Sequence, residues 1–559
     1  MRGSAAIKKP VPTPALTPSH TLPRAALAAA SGVALGLAFP KFDVNLLAWV
    51  ALVPLLYAVE GLRLRGVFGY SMLQGFVFYV LSLYWAVIPL HTFADAPMWM
   101  AVGPMLLLSA VEALFVAATL LGAIFVTRRM RIPIVLTLPV AWAAVEWLRS
   151  FFPIGFPWNL IGYTAYRNLG LIQFADITGV YGVSALIVFF NAVIYTVISA
   201  PSAANRLKIA GLSVLTASMV AAAVYGGVRI AQLQHEKYDG SVKIAMVQGD
   251  IPQSIKWDPN FRPSSFGVYV DQTLHAAREH PDLIVWPEAA AAFYVQPDNV
   301  YPLAALASDA EYRQRLLQLA REAHTPLLFG APALRFTPEE IDSFNRAYLV
   351  SADGKIVDYY DKIDLAPFAE YVPARKLFGF FVHKVVVGLG EFVPGTRQTL
   401  FDVKGAKLAV LICYEGIFPD LSRRAVANGA DILVNITNDA WYGRSSAPYQ
   451  LLAMSAMRSV ETHTPMVRVA NTGISAVIEP DGRITARTEL FARGSEIRTV
   501  NWRHGGTIYT TVGDLFAEIC FALTIIALIA ALISPRRPQA DAIYESGLLS
   551  ANGSTRRQA

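Results

Sequence analysis

Cysteine is scarce, with only Cys413 and Cys520 among 559 residues. Two cysteines build no disulfide framework, and Cys520 lies in an apolar run near the C-terminus, so no bond between them is expected. At least one thiol needs another explanation. Charge is scarce as well. Charged residues make up 16% of the chain against 54% hydrophobic residues, and the mean hydropathy is +0.42. That balance excludes an ordinary water-soluble enzyme of this size. No His/Cys cluster has zinc spacing and no Gly-rich phosphate loop occurs, so neither a metal nor an organic cofactor is expected. No fixed-period repeat is evident. The net charge of +6 does not point to nucleic acid, because the basic residues sit in short clusters beside apolar runs, where they set membrane orientation.

What the chain has in quantity is apolar length. With about 20 residues needed to cross a bilayer core, eight spans are expected, at 24–40, 44–60, 67–90, 97–126, 133–150, 170–200, 207–230 and 512–534. The first two are short and joined by "PKFDV", so a re-entrant pair is the alternative. The run "ALAAASGVALGLAFP" has signal-peptide texture, but further spans follow at once and an uncleaved first helix is preferred. Arg2, Lys8, Lys9 and Arg24 precede the first span, and Arg63 and Arg65 follow the second. Arg128, Arg129 and Arg131 follow the fourth, Arg206 and Lys208 the sixth, Arg536 and Arg537 the eighth. With eight spans these clusters share one side, so the positive-inside rule puts both termini in the cytoplasm. The expected division is a disordered cytoplasmic N-terminus (1–23), a membrane domain of about seven helices (24–230), an extracytoplasmic domain (231–511), a last span (512–534) and a cytoplasmic tail (535–559).

Between the membrane blocks the texture is that of an α/β domain. The strand-like runs "VKIAMVQGDI", "DLIVWPE", "TPLLFGAPAL", "KLAVLICYE" and "ADILVNITND" alternate with the helix-like segments 269–280, 308–323 and 446–462. Such alternation predicts layered sheets covered by helices. "YLVSADGKIVDYY" and "ISAVIEPDGRITA" each carry Asp-Gly between strand-like flanks, a hairpin signal.

Three apolar runs of this domain end in a chemically capable residue: Glu288 in "IVWPEAA", Lys362 in "YYDKIDLAPFAEYVP" and Cys413 in "LICYEG". A lone cysteine after such a run is ordinarily a small buried hydrophobe. A lone Glu or Lys there is ordinarily a turn residue. An acid, a cation and a thiol together at strand ends, where a rigid sheet converges side chains, instead suggest a triad.

"WPE", "DK" with Glu370 eight residues after Lys362, and "CYE" resemble the Glu-Lys-Cys signature of the nitrilase, or carbon–nitrogen hydrolase, superfamily. "VQGDIPQSIKWDP", "FNRAYLV", "YDKIDLAPFAEYVP", "ICYEGIFPDLSRR", "NITNDAWYG" and "VANTGISAVIEPDG", with "GFPWNLIGY" in the membrane part, resemble a membrane-anchored branch of it, the bacterial apolipoprotein N-acyltransferases. The resemblance runs from residue 24 to 534, with no departure at the three positions. It implies an α-β-β-α sandwich attached to about eight spans in the bacterial inner membrane, with the sandwich on the periplasmic side.

The resemblance implies an acyltransferase working through a Cys413 thioester. A free thiol near pKa 8.5 is mostly protonated at neutral pH and needs help to attack an ester. Glu288 would accept its proton, and Lys362 would stabilise the oxyanion with the backbone N–H of Tyr414. Glu370 and Glu415 would orient Lys362 and the thiol loop. Asn345 would support the site and Trp257 would contact substrate, with plain packing an equal alternative for both. The implied donor is a membrane phospholipid, typically phosphatidylethanolamine, and the acceptor is the α-amine of a diacylglyceryl-cysteine on an apolipoprotein. A monomer is expected. Long acyl chains stay in the bilayer by about 0.8 kcal/mol per buried CH₂, so such an enzyme has to come to its lipid. "FFPIGFPWNLIGY" and "FYVLSLYW" read first as an interfacial aromatic belt and second as a lipid-access groove. Two rivals remain at this point: a membrane-tethered amidase or nitrilase that passes the thioester to water, and a catalytically idle scaffold.

Overall fold

The computed structural model describes residues 18–93, 96–199, 204–296, 309–336, 341–371 and 392–534. The N-terminus before residue 18, with Arg2, Lys8 and Lys9, and the tail after residue 534, with Arg536 and Arg537, lie outside them, as do the last two residues of "YDKIDLAPFAEYVP".

The membrane part contains α1 (Pro18–Ala38), α2 (Val53–Val59), α3 (Leu64–Leu83), α4 (Met98–Met130), α5 (Ile134–Arg149), α6 (Ala175–Ser199) and α7 (Asn205–His235). Among the described residues five helical stretches are long and apolar enough to cross a membrane: Leu64–Phe93, Met98–Met130, Ala175–Ser199, Asn205–His235 and Leu515–Ile533. The three remaining expected spans are shorter helical segments, and the count of about eight includes them. The first two expected spans are the shorter apolar segments Pro23–Ala38 and Asn45–Val59. The second is broken into a 3-10 turn, Asn45–Trp49, and the seven-residue α2. They fold back on each other, and Nη1 of Arg24 near the start of α1 donates to the carbonyls of Ala58 (3.0 Å) and Glu60 (2.9 Å) at the end of α2. The fifth expected span, α5, has 16 residues and packs against α4, α6 and the last helix. The bundle also buries a charge pair, Glu112 with Arg149, and Arg149 donates to the Trp158 carbonyl at 3.1 Å. Charges at such depth persist only when paired.

The α/β part begins with β1 (Gly240–Gln248), β2 (Leu283–Val285), β3 (Leu327–Phe336), β4 (Ile341–Val350) and β5 (Ile356–Asp361). β6 (Leu400–Val403), β7 (Ala406–Ile412), β8 (Ile432–Thr437), β9 (Met466–Ala470), β10 (Ala476–Ile478) and β11 (Ile484–Arg487) form a second sheet. β12 (Gly494–Trp502) returns to the first, giving six-stranded sheets of order β12-β1-β2-β3-β4-β5 and β11-β10-β9-β8-β7-β6. Both Asp-Gly sites form the expected hairpins, β4 with β5 and β10 with β11.

Side chains of a strand alternate between faces, and each strand uses both. Val242, Ile244 and Met246 of β1 face Leu408, Val410 and Ile412 of β7 across the inter-sheet core. Ala245 and Val247 turn outward onto α8 (Arg262–Ala277) and α9 (Ala310–Ala323). On the other side Leu411 and Leu433 meet α10 (Pro419–Ala427) and α11 (Ala447–Thr462). This is the expected α-β-β-α sandwich.

α11 is buried along its length except at Tyr449. Leu452, Ala453 and Ala456 face the second sheet. Leu451, Met454, Met457 and Val460 face the membrane bundle at Trp158, Tyr163, Val180 and Tyr181. Glu461 of α11 accepts the Val180 N–H at 2.9 Å, a group freed because Gly179 leaves helical geometry with φ 64°. Arg458 holds Glu461 with one hydrogen bond, from Nη2 to Oε1 at 3.0 Å, and an ion-pair contact of Nε with Oε2 at the same distance. The last helix, α12 (Leu515–Ile533), packs on α4, α5 and α6.

Candidate active site

β1, β2 and β3 run parallel, and β5, twice reversed from β3, shares their direction. β7, β8 and β9 are parallel in the other sheet. The carboxyl ends of parallel strands are where α/β sheets gather a site. Glu288 follows β2, Lys362 follows β5 and Cys413 follows β7.

Cys413 opens a 3-10 turn, Cys413–Ile417, with φ at 54°. A side chain with a Cβ resists that left-handed geometry, and residues held in it concentrate at functional sites. Glu415 secures the turn. Its Oε2 accepts the Ile412 N–H at 2.6 Å. Its Oε1 accepts the Tyr360 hydroxyl (2.7 Å) and the N–H groups of Ile363 (2.7 Å) and Asp364 (3.1 Å). One fully buried carboxyl thus ties the thiol turn to the segment that carries Lys362. Burial pushes it up to about 7, against the lowering effect of its hydrogen bonds and of Lys362.

The Lys362 side chain is 1% exposed, with Nζ 2.7 Å from Glu370 Oε2 and 3.8 Å from Glu288 Oε1. Burial alone would discharge the amine, but the charges of Glu370 and Glu288 outweigh it and hold the group above the ordinary lysine value. Nδ2 of Asn345 donates to Glu288 Oε1 (2.8 Å) and to Glu370 Oε1 (2.9 Å). The other oxygen of Glu288 accepts the Asn438 N–H at 2.9 Å. Cys413 lies within electrostatic reach of Glu288 and Lys362. Its thiol is pushed up to about 12 by burial and the Glu288 charge, which outweigh the opposing Lys362 cation. The resting sulfur is therefore a thiol, and its proton has to leave during attack.

The structure brings together Glu288, Lys362, Asn345, Glu370 and Cys413, with Glu415 behind them. Tyr414 turns away, its hydroxyl donating to the Gly155 carbonyl of the membrane part at 3.1 Å. Trp257 is half-buried directly after the short helix Gln253–Lys256. Several residues near the site were not singled out from sequence. Asn435 donates to the carbonyls of Leu411 (3.0 Å) and Cys413 (3.3 Å). Arg468 donates to Asn435 and, at 2.7 Å, to Asp439, whose charge reaches Cys413. Lys256 donates to the Glu288 carbonyl at 2.9 Å. The Asn and Asp residues that follow the apolar run of β8 were the available signal. Gly330 leaves room for the Glu288 loop: a Cβ there would lie 2.5 Å from the Ala289 nitrogen.

The membrane part supplies a wall. Trp85 and Trp158 lie against each other, ring centroids 4.6 Å apart and planes tilted by 38°, and both indoles donate to Gln450 Oε1 of α11, at 3.2 and 2.8 Å. Tyr442, edge-on to Trp85 at 5.0 Å, is within electrostatic reach of Cys413. The aromatic segments therefore divide: Phe151 and Phe152 are exposed, as in an interfacial belt, whereas Trp85 and Trp158 are buried and back Tyr442. Among the described residues no group of three or more His, Cys, Asp or Glu side chains is placed to hold a metal ion.

Comparison with known proteins adds two family matches, Carbon-nitrogen hydrolase over residues 243–507 and Apolipoprotein N-acyltransferase N-terminal domain over 31–193. The apolipoprotein N-acyltransferase of Geobacter metallireducens is 38% identical over 518 residues, covering 91% of this chain and 95% of the relative. The chain belongs to the apolipoprotein N-acyltransferase family. The members from Rickettsia prowazekii (32% identical, 76% of this chain and 80% of theirs) and Methylococcus capsulatus (31%, 89% and 95%) match it as well. A solved amidase from Nesterenkonia sp. is 21% identical, covering 50% of this chain and 95% of its own at a TM-score of 0.36, which adds nothing to the family matches. Both family matches fall where the structure has its bundle and its sandwich, and the first includes Glu288, Lys362 and Cys413.

Proposed function

We propose that this chain N-acylates lipoproteins in the bacterial inner membrane, taking a fatty acyl group from a phospholipid through a Cys413 thioester. The observation that carries the reading is the convergence of Glu288, Lys362 and Cys413 beside a wall built by Trp85 and Trp158 of the membrane part. A water-borne substrate would need no such wall.

In the first half-reaction Glu288 takes the thiol proton as sulfur attacks the ester carbonyl of the phospholipid. The carbonyl oxygen becomes an oxyanion facing Lys362. Collapse breaks the ester C–O bond, Glu288 returns its proton to the departing oxygen, and lysophospholipid leaves the thioester behind. In the second, the free α-amine of diacylglyceryl-cysteine attacks the thioester carbonyl and gives a proton to Glu288. Collapse forms the amide and expels the sulfur, which regains the proton. One base thus serves both halves in turn. Phosphatidylethanolamine is the proposed donor, and a single chain holds the whole proposed site.

The proposed orientation puts the sandwich outside the cytoplasmic membrane and both termini inside. Arg24 bonds to the end of α2, Arg128 to the Leu62 carbonyl, and Arg129 to the Ala531 and Ser534 carbonyls at the end of α12. These basic residues gather at one end of the bundle, which supports a cytoplasmic face there. The decisive experiment supplies phospholipid and a diacylglyceryl-peptide and reads products by mass spectrometry. An N-acylated peptide is expected. Free fatty acid without it would make the chain a hydrolase.

A further inference from the structure

Lys256 is an unexpected cation. It ends the helix Gln253–Lys256, is 3% exposed, and among the described residues makes one hydrogen bond, from Nζ to the Glu288 carbonyl at 2.9 Å, and no ion pair. A lysine buried this way gives up hydration for a single neutral acceptor, which packing alone does not require. What it grips is strained. Ala289, the next residue, has φ 48°, and the segment presses on Gly330 with no room for a Cβ. The same helix reaches the side-chain end of Glu288. Gln253 Oε1 accepts from Asn438 Nδ2 at 2.7 Å, and the Asn438 N–H donates to Glu288 Oε2 at 2.9 Å. A four-residue segment therefore holds the base at both ends, by its main chain through Lys256 and by its carboxylate through Gln253 and Asn438.

We infer that Lys256 is a positioning residue for Glu288, with the Gln253–Lys256 helix acting as a two-armed clamp that aims the carboxylate at the sulfur and then at the incoming amine. Because Glu288 would serve both half-reactions, the clamp acts on both. The inference rests on the proposed acyl transfer through Cys413. The Lys256 ammonium also faces the charge of Glu288, and burial lowers it to about 8 in spite of that charge.

The test uses the full-length protein in mixed micelles of phosphatidylethanolamine, with intact-protein mass spectrometry counting acyl-enzyme and a diacylglyceryl-peptide added in a second step. Lys256→Met is expected to slow both thioester formation and its discharge on the order of 10- to 100-fold, as misaimed groups do. KM for the phospholipid and the final extent of acylation should stay at wild-type values. Lys256→Arg, which keeps a cationic donor, should recover part of the rate. A Lys256→Met enzyme with normal rate constants and only a lower extent of acylation would make the residue a plain folding element and overturn the inference. So would slowing of one half-reaction alone. If Lys256→Met does not fold, Gln253→Leu cuts the other arm and has to show the same slowing of both halves at unchanged KM. Failure of the wild type to form any thioester would sink the acyl-transfer reading instead, so the two failures are distinct.

Discussion

Lys362 stands closer to Glu370, at 2.7 Å, than to Glu288, at 3.8 Å. The nearer carboxylate keeps the buried amine charged, and the farther one is the proposed base. Glu370→Gln should unbalance that division. Burial would then draw the Lys362 value down, and the charge would be lost as pH rises through a lower value than in the wild type. The acylation rate is expected to fall overall and its alkaline limb to move to lower pH. A pH–rate profile for thioester formation checks this, and an unmoved limb would contradict it.

Lys362→Met keeps much of the aliphatic volume and removes the charge proposed to face the oxyanion. Loss of one such donor is worth about 2.7–4 kcal/mol, or 10²–10³ in kcat. Turnover and thermal melting should be measured together. Near-wild-type turnover would remove Lys362 from the mechanism, and a collapsed melting temperature would make its role structural.

Cys413 should carry the acyl group. With phospholipid and no amine acceptor, intact-protein mass spectrometry should show one added fatty acyl group, removable by neutral hydroxylamine. Cys413→Ala should abolish the adduct. Cys520→Ala should leave adduct and activity in place, because Cys520 is a small buried residue of α12.

The thiol at about 12 makes a separate prediction. Iodoacetamide reacts with the thiolate, whose fraction below that value rises about tenfold per pH unit. Alkylation of Cys413 should keep accelerating from pH 7 to 10 without a plateau. A plateau near pH 8.5 would show an ordinary or activated thiol and would refute the need for proton removal during attack.

Gly330→Ala adds a methyl 2.5 Å from the Ala289 nitrogen and 2.8 Å from the Glu288 Cα. Backbone has to move, at a cost of about 1–3 kcal/mol. Melting temperature and acylation rate should both drop, and a variant with neither change would show that the Glu288 loop is loosely held.

Much of the sandwich was legible in the sequence because its strands are short apolar runs that end in polar residues. β7 is read as 407–415 and found at Ala406–Ile412, and Asp353-Gly354 and Asp481-Gly482 mark their hairpins. Glu288, Lys362 and Cys413 stood out because each closes such a run. Other parts carry no local signal. Asn438 acts on Glu288 through its backbone N–H, which every residue but proline has. Gly330 matters only because another strand end presses on it. Lys256, between Ser-Ile and Trp, reads as a surface lysine until the fold encloses it. The break in the second expected span was hidden for a related reason: apolar content from 44 to 60 is continuous, but the backbone breaks between Asn45–Trp49 and Val53–Val59.

The two-sided burial of α11 constrains the history of each newly made molecule. The ribosome delivers α11 after the seven helices α1–α7 and before α12. Until the bundle stands ready, Leu451, Met454, Met457 and Val460 have nothing to cover them. The sandwich therefore does not mature as a free unit that docks later; it finishes folding against its own anchor. An excised 240–502 fragment would carry that uncovered stripe into water, so this enzyme cannot be shed as a soluble hydrolase.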